Sequence, residues 1–235
     1  MEPVKLVIKA FRAPDDVEAC QRYVEGHSKV LRIYGITMIT SAKAVWIDDP
    51  NTYVIIVESE NGEKIFGGAR IQVADGTFQL PIEDALSKFD PNIHTLVKEL
   101  IPNGTGELCG LWNSREVAGL GIGSIYLSRV GVVIAMQLKL NTLFALCAPA
   151  TVKNSNRVGF LVDERLGDKG TFYYPKEGLV ATAVFLNDVL TLSTANPEER
   201  ERILELRSFP VQRKNELGPR DISLEIDYNL FLTNL

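Results

Sequence analysis

Alternating apolar and polar side chains define the first elements of the chain. Residues 4–10 alternate and are predicted to form a half-buried strand. The segment Pro14–Asp16 then begins a predicted helix, with its acidic residues near the positive end of the helix dipole. Residues 53–58 and 64–73 are predicted to form a hairpin, because Asn61-Gly62 between them is a strong turn signal. The first third of the chain is therefore predicted to be an antiparallel sheet and one helix.

A strand, a glycine-spaced turn and a helix follow one another in the middle of the chain. Residues 107–113 are predicted to be the strand, and Gly119–Gly123 the turn. Residues 124–140 then carry an apolar face with helical spacing. Residues 142–148 are almost wholly apolar, as expected of a strand that is covered on both faces. This strand–helix–strand unit predicts a parallel pair with a right-handed crossover.

The remaining signals complete a mixed α/β fold. Residues 1–189 are assigned to one domain, and residues 190–235 to a helix–strand extension packed on it. The extension could lengthen the sheet, cover the acceptor site or pair with a second subunit. Because an exposed final strand would be an uncovered sheet edge, a homodimer is favoured. The other elements predicted are helices 92–100, 150–158 and 197–207 and strands 171–174, 179–187 and 221–232.

Composition narrows the class of protein. The chain of 235 residues is 46% hydrophobic and 23% charged with a net charge of −5, which suits a soluble domain and gives no sign of a nucleic-acid surface. His27 and His94 have no metal-ligand spacing to any cysteine, so no metal is expected. Cys20, Cys109 and Cys147 lie far apart, which is typical of reduced thiols in a cytoplasmic protein. No apolar run has transmembrane length, so no membrane partner is expected.

The glycine turn is suited to binding phosphate. Glycines let the backbone approach an anion, and the first turn of the next helix offers unpaired N–H groups. A Rossmann dinucleotide site would require a third glycine where Ser124 stands and an acidic residue after the next strand. That strand ends in Cys147-Ala148-Pro149. The Rossmann alternative is therefore disfavoured.

The run Ala118–Gly123 resembles the pyrophosphate motif Gln/Arg-x-x-Gly-x-Gly/Ala of the GNAT superfamily of acyl-CoA-dependent acyltransferases. Its last two glycines match, and Ala118 stands where the motif has Arg or Gln. Residues 154–160 (NSNRVGF) are similar to the superfamily's Asn-rich helix that ends in Gly-Phe. The resemblance covers roughly residues 4–187. It implies a GNAT-like fold with splayed central parallel strands and a C-terminal extension.

The resemblance also implies the donor and its site. Acetyl-CoA or a longer acyl-CoA would lie along the strand end and the turn, with Arg115 either touching a peripheral phosphate or serving as an exposed loop charge. The implied donor-binding residues are Leu111, Trp112, Asn113, Arg115, Ala118, Gly119, Leu120, Gly121, Ile122, Gly123, Ser124 and Asn154.

A closer likeness is carried by Phe66–Ile71 (FGGARI), Leu80-Pro81 and Glu107. These segments resemble the acyl-homoserine-lactone synthases and N-acyl amino acid synthases, which take acyl groups from acyl carrier protein or acyl-CoA. The strand of those enzymes reads Glu-x-x-Arg, whereas this chain has Gly110 three residues after Glu107. Because those synthases can take the acyl group from acyl carrier protein, the likeness implies acyl carrier protein as a partner.

Two charged residues are candidates for the chemistry. Glu107 is the candidate general base for the amine of a small-molecule acceptor, since burial would raise its pKa towards neutrality; the alternative is an exposed strand end. Arg70 is the candidate ligand of a substrate carboxylate, and a solvent-facing charge is the favoured alternative.

The resemblance implies an N-acyltransferase acting on an amine. One alternative is an N-acyl amino acid or acyl-homoserine-lactone synthase-like enzyme that uses acyl carrier protein. The other is a non-catalytic module that binds acyl-CoA. Ala118 favours this last alternative, as does Ser155 near the position where many related enzymes carry a catalytic tyrosine.

Overall fold

The computed structural model describes residues 3–36, 44–218 and 221–233. Its helices are α1 (Val17–Ile33), α2 (Pro81–Leu86), α3 (Asn92–Leu100), α4 (Leu127–Gln137), α5 (Pro149–Arg157) and α6 (Pro197–Ser208). Its strands are β1 (Val4–Arg12), β2 (Thr52–Ser59), β3 (Ile65–Val73), β4 (Thr105–Asn113), β5 (Thr142–Cys147), β6 (Leu161–Val162), β7 (Thr171–Tyr173), β8 (Val180–Leu186), β9 (Val211–Leu217) and β10 (Ser223–Asn229). Among these helices, none is long and apolar enough to cross a membrane.

The described strands form one mixed sheet. Its order is β6-β8-β5-β4-β3-β2-β1-β10-β9, with β7 paired to β8. The successive pairs β1–β2, β2–β3 and β3–β4 are antiparallel, while β4 pairs with β5 in parallel. The expected hairpin, the parallel central pair and the mixed α/β fold class are confirmed.

Local signals fix the starts of two helices. The Asp16 carboxylate caps α1 by accepting a hydrogen bond of 2.9 Å from the backbone N–H of Ala19. The Asn196 side chain caps α6 by accepting one of 3.0 Å from Glu198 N–H, and Pro197 occupies the first turn. Such caps satisfy N–H groups that have no partner inside the helix.

Helices cover both faces of the sheet. Leu108 of β4 packs on Gly131 of α4. The adjacent Glu107 accepts a hydrogen bond from Ile82 N–H in α2. Successive strand residues point to opposite faces, so α4 and α2 lie on opposite sides of the sheet. Helix α1 shares the face of α2, since Tyr23 packs on Gly68 and Gly110 beside Arg70.

Three elements differ from the sequence prediction. Helix α2 lies in a stretch for which no element is predicted; the Glu83 carboxylate accepts a hydrogen bond of 2.8 Å from Leu80 N–H and closes its first turn. Strand β9 is largely polar and gains its conformation by pairing with β10. The helix expected over 124–140 begins instead as a π-helical turn, Ile122–Tyr126, and α4 ends at Gln137.

The final strand is not the edge of the sheet. Strand β10 lies between β1, with which it pairs in parallel, and β9, with which it pairs antiparallel. The chain therefore covers this strand itself, and the reason given above for a homodimer is wrong. The homodimer itself stays a prediction.

A buried charge cluster joins α4 to α6 and β9. The Arg129 guanidinium, 1% exposed, lies 2.9 Å from a carboxylate oxygen of Glu199 and donates hydrogen bonds of 3.0 Å to Glu216. The Tyr228 hydroxyl donates a bond of 2.8 Å to Glu216. A buried cation needs such partners, because desolvation of an unpaired charge costs several kcal/mol.

We expect Arg129→Met to lower the free energy of unfolding by about 3–5 kcal/mol, since it leaves Glu199 and Glu216 buried without their shared cation. Chemical denaturation at pH 7 measures the change. Arg213→Met is the matched control: Arg213 pairs with Asp227 on the surface, with its side chain 61% exposed, and its loss should leave the midpoint nearly unchanged. Equal effects of the two changes would contradict the importance of the buried cluster.

Candidate active site

The two central parallel strands separate along their length. They pair at Thr105–Thr142, Gly106–Leu143 and Glu107–Phe144 only. Beyond these pairs β4 stays on β3 as far as Asn113, and β5 stays on β8 as far as Cys147. The sheet therefore opens at the carboxyl ends of β4 and β5, where parallel-sheet proteins commonly bind ligands.

A cavity of about 390 Å³ occupies this opening. It lies between β4, β5, α5 and the C-terminal part of α1. Gly123 of the π-helical turn and Ser128 of α4 also line it. Six predicted donor-site residues line it: Leu111, Trp112, Asn113, Arg115, Ala118 and Gly123. We call it the first cavity.

Five other predicted donor residues lie near the first cavity without lining it. They are Gly119, Leu120, Gly121, Ile122 and Asn154. Ile122 is fully buried in the core below the turn, and Leu120 packs against the same core. Asn154 is half-buried on α5, one residue before the lining Ser155. The side chain of Ser124 falls outside the described part of the chain.

The turn between β4 and the helix has the backbone conformation that only glycine adopts without strain. Gly119 and Gly121 have φ of +86° and +85°. Ala118 and Gly119 are exposed, so the turn is open to an approaching ligand. The π-helical turn Ile122–Tyr126 follows at once and begins a helix whose first N–H groups have no intrahelical partners. An anion is therefore well accommodated here.

Glu107 is buried rather than at an exposed strand end, so that alternative is wrong. It is 2% exposed and accepts a hydrogen bond of 2.7 Å from the backbone N–H of Ile82. Burial raises its pKa to about 8, against the lowering effects of the Ile82 hydrogen bond and the Arg70 charge. Glu107 lines neither cavity itself but lies within the wall between them, next to Leu108 of the first cavity.

Arg70 is also buried, so a solvent-facing charge is the wrong interpretation. It is 1% exposed, and its guanidinium carbon lies 4.8 Å from the centre of the Trp46 ring. It lines a second cavity of about 580 Å³, between β3, the segment around Trp46 and the N-terminus of α2. We call it the second cavity. Gln72, which pairs with Glu107, lines it as well.

Gly110 lies in the wall between the two cavities, and other residues occupy the space where its side chain would be. Its φ is +60°, and the space where a Cβ would lie is taken by the Tyr23 hydroxyl, with Arg70 Nη1 at 3.4 Å. Tyr23 also donates a hydrogen bond to the Gly110 carbonyl. Two residues from other elements thus fill the space beside Gly110.

Sequence reasoning missed three residues of the site: Tyr23, His27 and Trp46. His27 is 5% exposed and lines the first cavity; burial, with the Arg70 charge second, lowers its pKa to about 4, so the imidazole is neutral at pH 7. Tyr23 and His27 are four residues apart on α1, and that spacing on one helix face was the available signal. No signal in the sequence distinguished Trp46.

The thiols at the site are buried and neutral. Cys109 and Cys147 line the first cavity, and burial raises the pKa of each, to about 12 for Cys109. Cys147 Sγ lies 3.3 Å from the hydroxyl of Ser155, which lines the cavity from α5. Thiols in this state are weak nucleophiles.

The sequence matches no protein-family model, and no curated protein is significantly similar to it. Several solved structures share its fold. FeeM, an N-acyl amino acid synthase from uncultured soil microbes, is 18% identical with a TM-score of 0.57, over 87% of this chain and 97% of that one. BjaI, a CoA-dependent acyl-homoserine lactone synthase solved with SAM and isopentyl-CoA, is 15% identical with a TM-score of 0.54, over 92% and 95%.

A putative N-acetyltransferase from Lactobacillus plantarum is similar as well. It is 10% identical with a TM-score of 0.52, over 78% of this chain and 99% of that one. These similarities confirm the GNAT-like fold that the glycine turn and the order of elements predict. The chain has the fold of acyltransferases with splayed central strands.

Proposed function

We propose that the protein is an N-acyltransferase that moves an acyl group from acyl-CoA, or from acyl carrier protein, to an amine of a small molecule. The proposal rests on one observation: the first and second cavities lie on either side of a shared wall. The first cavity lies between the splayed strands and beside the glycine turn. The second cavity contains Arg70, and the buried carboxyl of Glu107 lies in the wall between the two.

The first cavity suits the donor. Its strand side includes Leu111, Trp112 and Asn113, whose backbone groups face the gap that β5 leaves. A pantetheine arm carries amides that would pair with such groups as a short extra strand. The pyrophosphate would then meet the open turn from Ala118 to Gly123, and the exposed Arg115 at the cavity's edge would contact a peripheral phosphate.

The second cavity suits the acceptor. Arg70 provides a buried positive charge at its inner wall. Such a charge favours an acceptor that carries a carboxylate besides its amine. This supports the finer proposal of an N-acyl amino acid synthase-like enzyme, in line with the fold that FeeM and this chain share.

Glu107 is proposed as the general base. An ammonium acceptor must lose a proton before its nitrogen can attack the thioester carbonyl, and a carboxylate with a pKa near 8 is a stronger base than an ordinary one. Glu107 takes that proton, the nitrogen forms a C–N bond with the carbonyl carbon, and the C–S bond breaks. The nitrogen's second proton goes to the thiolate, which leaves as the thiol of CoA or of the carrier arm. No metal is needed for this chemistry.

The organisation of the chain is part of the proposal. We infer one GNAT-like domain, residues 1–189, with residues 190–235 as an extension packed on it. The pairing of β10 with β1 and the contacts of Arg129 support this. A cytoplasmic location and a homodimer also remain proposals, and light scattering of the full chain tests the dimer.

We expect the purified protein to bind acetyl-CoA or octanoyl-CoA in calorimetry. Gly119→Glu should weaken this binding by about tenfold or more, because it places a negative charge where the pyrophosphate lies. Gly178→Glu is the matched control. Both glycines have left-handed φ, +86° and +83°, and neither has a neighbour within 4 Å of its Cβ position, but Gly178 lies on the β7–β8 turn instead of the turn that is proposed to hold the pyrophosphate. Binding by neither donor, with transfer from acyl carrier protein also absent, would overturn the proposal.

We expect Glu107→Gln to lower kcat by about a hundredfold or more, the usual contribution of a general base. A panel of amino acids and simple amines, assayed by thiol release, measures the rate. In the wild type kcat/KM should rise with pH and level off above pH about 8, where Glu107 is ionised. Donor binding without turnover of any amine would favour the non-catalytic module instead.

Burial of Glu107 should also change the pH dependence of stability. Its folded pKa of about 8 lies above its value in the unfolded chain, so the folded state retains a proton that the unfolded state has lost. The free energy of unfolding therefore falls as pH rises from about 4.5 to 8. We expect Glu107→Gln to be more stabilising at pH 8 than at pH 5 in urea denaturation. Glu60→Gln, at a side chain 56% exposed, should show no such trend.

A further inference from the structure

One carboxylate joins the two helices that flank the first cavity. Glu199 of α6 is fully buried. One of its oxygens lies 2.9 Å from Arg129 of α4. The other lies 2.7 Å from Arg157, the last residue of α5. Helix α6 thus contacts α4 and α5 through opposite oxygens of one carboxylate.

Both arginines lie next to residues that line the first cavity. Ser128, adjacent to Arg129, lines it from α4. Ser155, two residues before Arg157, lines it from α5. A change in the distance between the two arginines would therefore change the distance between the cavity's two flanks.

The carboxylate is held in place from several directions. Arg202 of α6 itself contacts the same oxygen as Arg157, at 3.1 Å. Glu216 of β9 shares Arg129 with it. Backbone bonds also connect the end of α5 to the segment before α6: Asn196 N–H donates to the Arg157 carbonyl at 2.9 Å, and the Thr194 hydroxyl donates to the Gly159 carbonyl at 2.6 Å.

We propose that Glu199 is a positioning residue for the donor: through Arg129 and Arg157 it sets the spacing of α4 and α5, and hence the width of the first cavity. The inference rests on the proposed function, since it assigns the donor to that cavity. It gives the segment after residue 190 a role in donor binding although, among the described residues, none beyond Phe160 lines either cavity.

The chain offers a matched pair of variants. Arg157→Met removes the side-chain link between α5 and Glu199. Arg202→Met removes an equal charge from the same carboxylate oxygen, but within α6. The two side chains are 40% and 39% exposed, so both variants should fold, and the buried pair of Arg129 with Glu199 stays intact in each.

We expect Arg157→Met to weaken CoA binding by about fivefold in calorimetry, the range in which residues remote from a ligand alter affinity. Arg202→Met should leave affinity unchanged, and Arg157→Lys, which keeps the charge, should restore most of it. In steady-state kinetics the KM for the donor should rise while the KM for the acceptor stays constant, a split that general loss of stability would not produce. Equal CoA affinity of the two methionine variants would overturn the inference.

Hydrogen exchange of the ligand-free protein tests the same link without CoA. Amides of residues 149–157 should exchange faster in Arg157→Met than in Arg202→Met, and equal rates would overturn the inference even in a protein that binds no CoA. Failure of the proposed function is a different result: the wild type then binds no donor and transfers no acyl group.

Discussion

The separation of β4 from β5 is the constraint on which the site depends. After three paired positions the strands diverge, each held by its outer neighbour, β3 or β8. Backbone groups that face the gap have no strand beside them, and such groups need partners. A ligand with amides of its own can provide them. The same divergence brings the glycine turn, α4 and α5 around one opening. The first cavity therefore forms where the pairing of β4 with β5 ends.

The wall beside that opening contains charge that the fold must stabilise. Glu107 and Arg70 lie on neighbouring strands with almost no exposure. Desolvation favours the neutral form of Glu107, whose pKa rises to about 8, while Arg70 packs on the Trp46 ring. Buried ionisable groups of this kind reduce stability unless they are paired, and they concentrate where chemistry requires a shifted pKa. A buried carboxyl with a raised pKa is what the proposed general base requires.

The C-terminal segment completes the sheet and contacts the helices beside the first cavity. Strand β10 continues the sheet beyond β1, and β9 covers it in turn. Glu199 and Glu216 contact Arg129, three residues after the π-helical turn ends. Buried ion pairs add little net stability over apolar packing but define one arrangement of the elements that they join. Through this cluster, the segment after residue 190 is proposed to affect the width of the first cavity, although none of its described residues lines either cavity.

The sequence by itself determined the features that depend on neighbouring residues. Alternation, helical spacing and the caps at Asp16 and Asn196 located most helices and strands, and glycine at 119 and 121 marked a turn that requires positive φ. Tertiary structure alone decided the burial of Arg70, the formation of β9, the use of Tyr23 and His27 at the site, and the link from Glu199 to two helices. Each of these results from contacts between residues far apart in the chain, which local pattern does not encode.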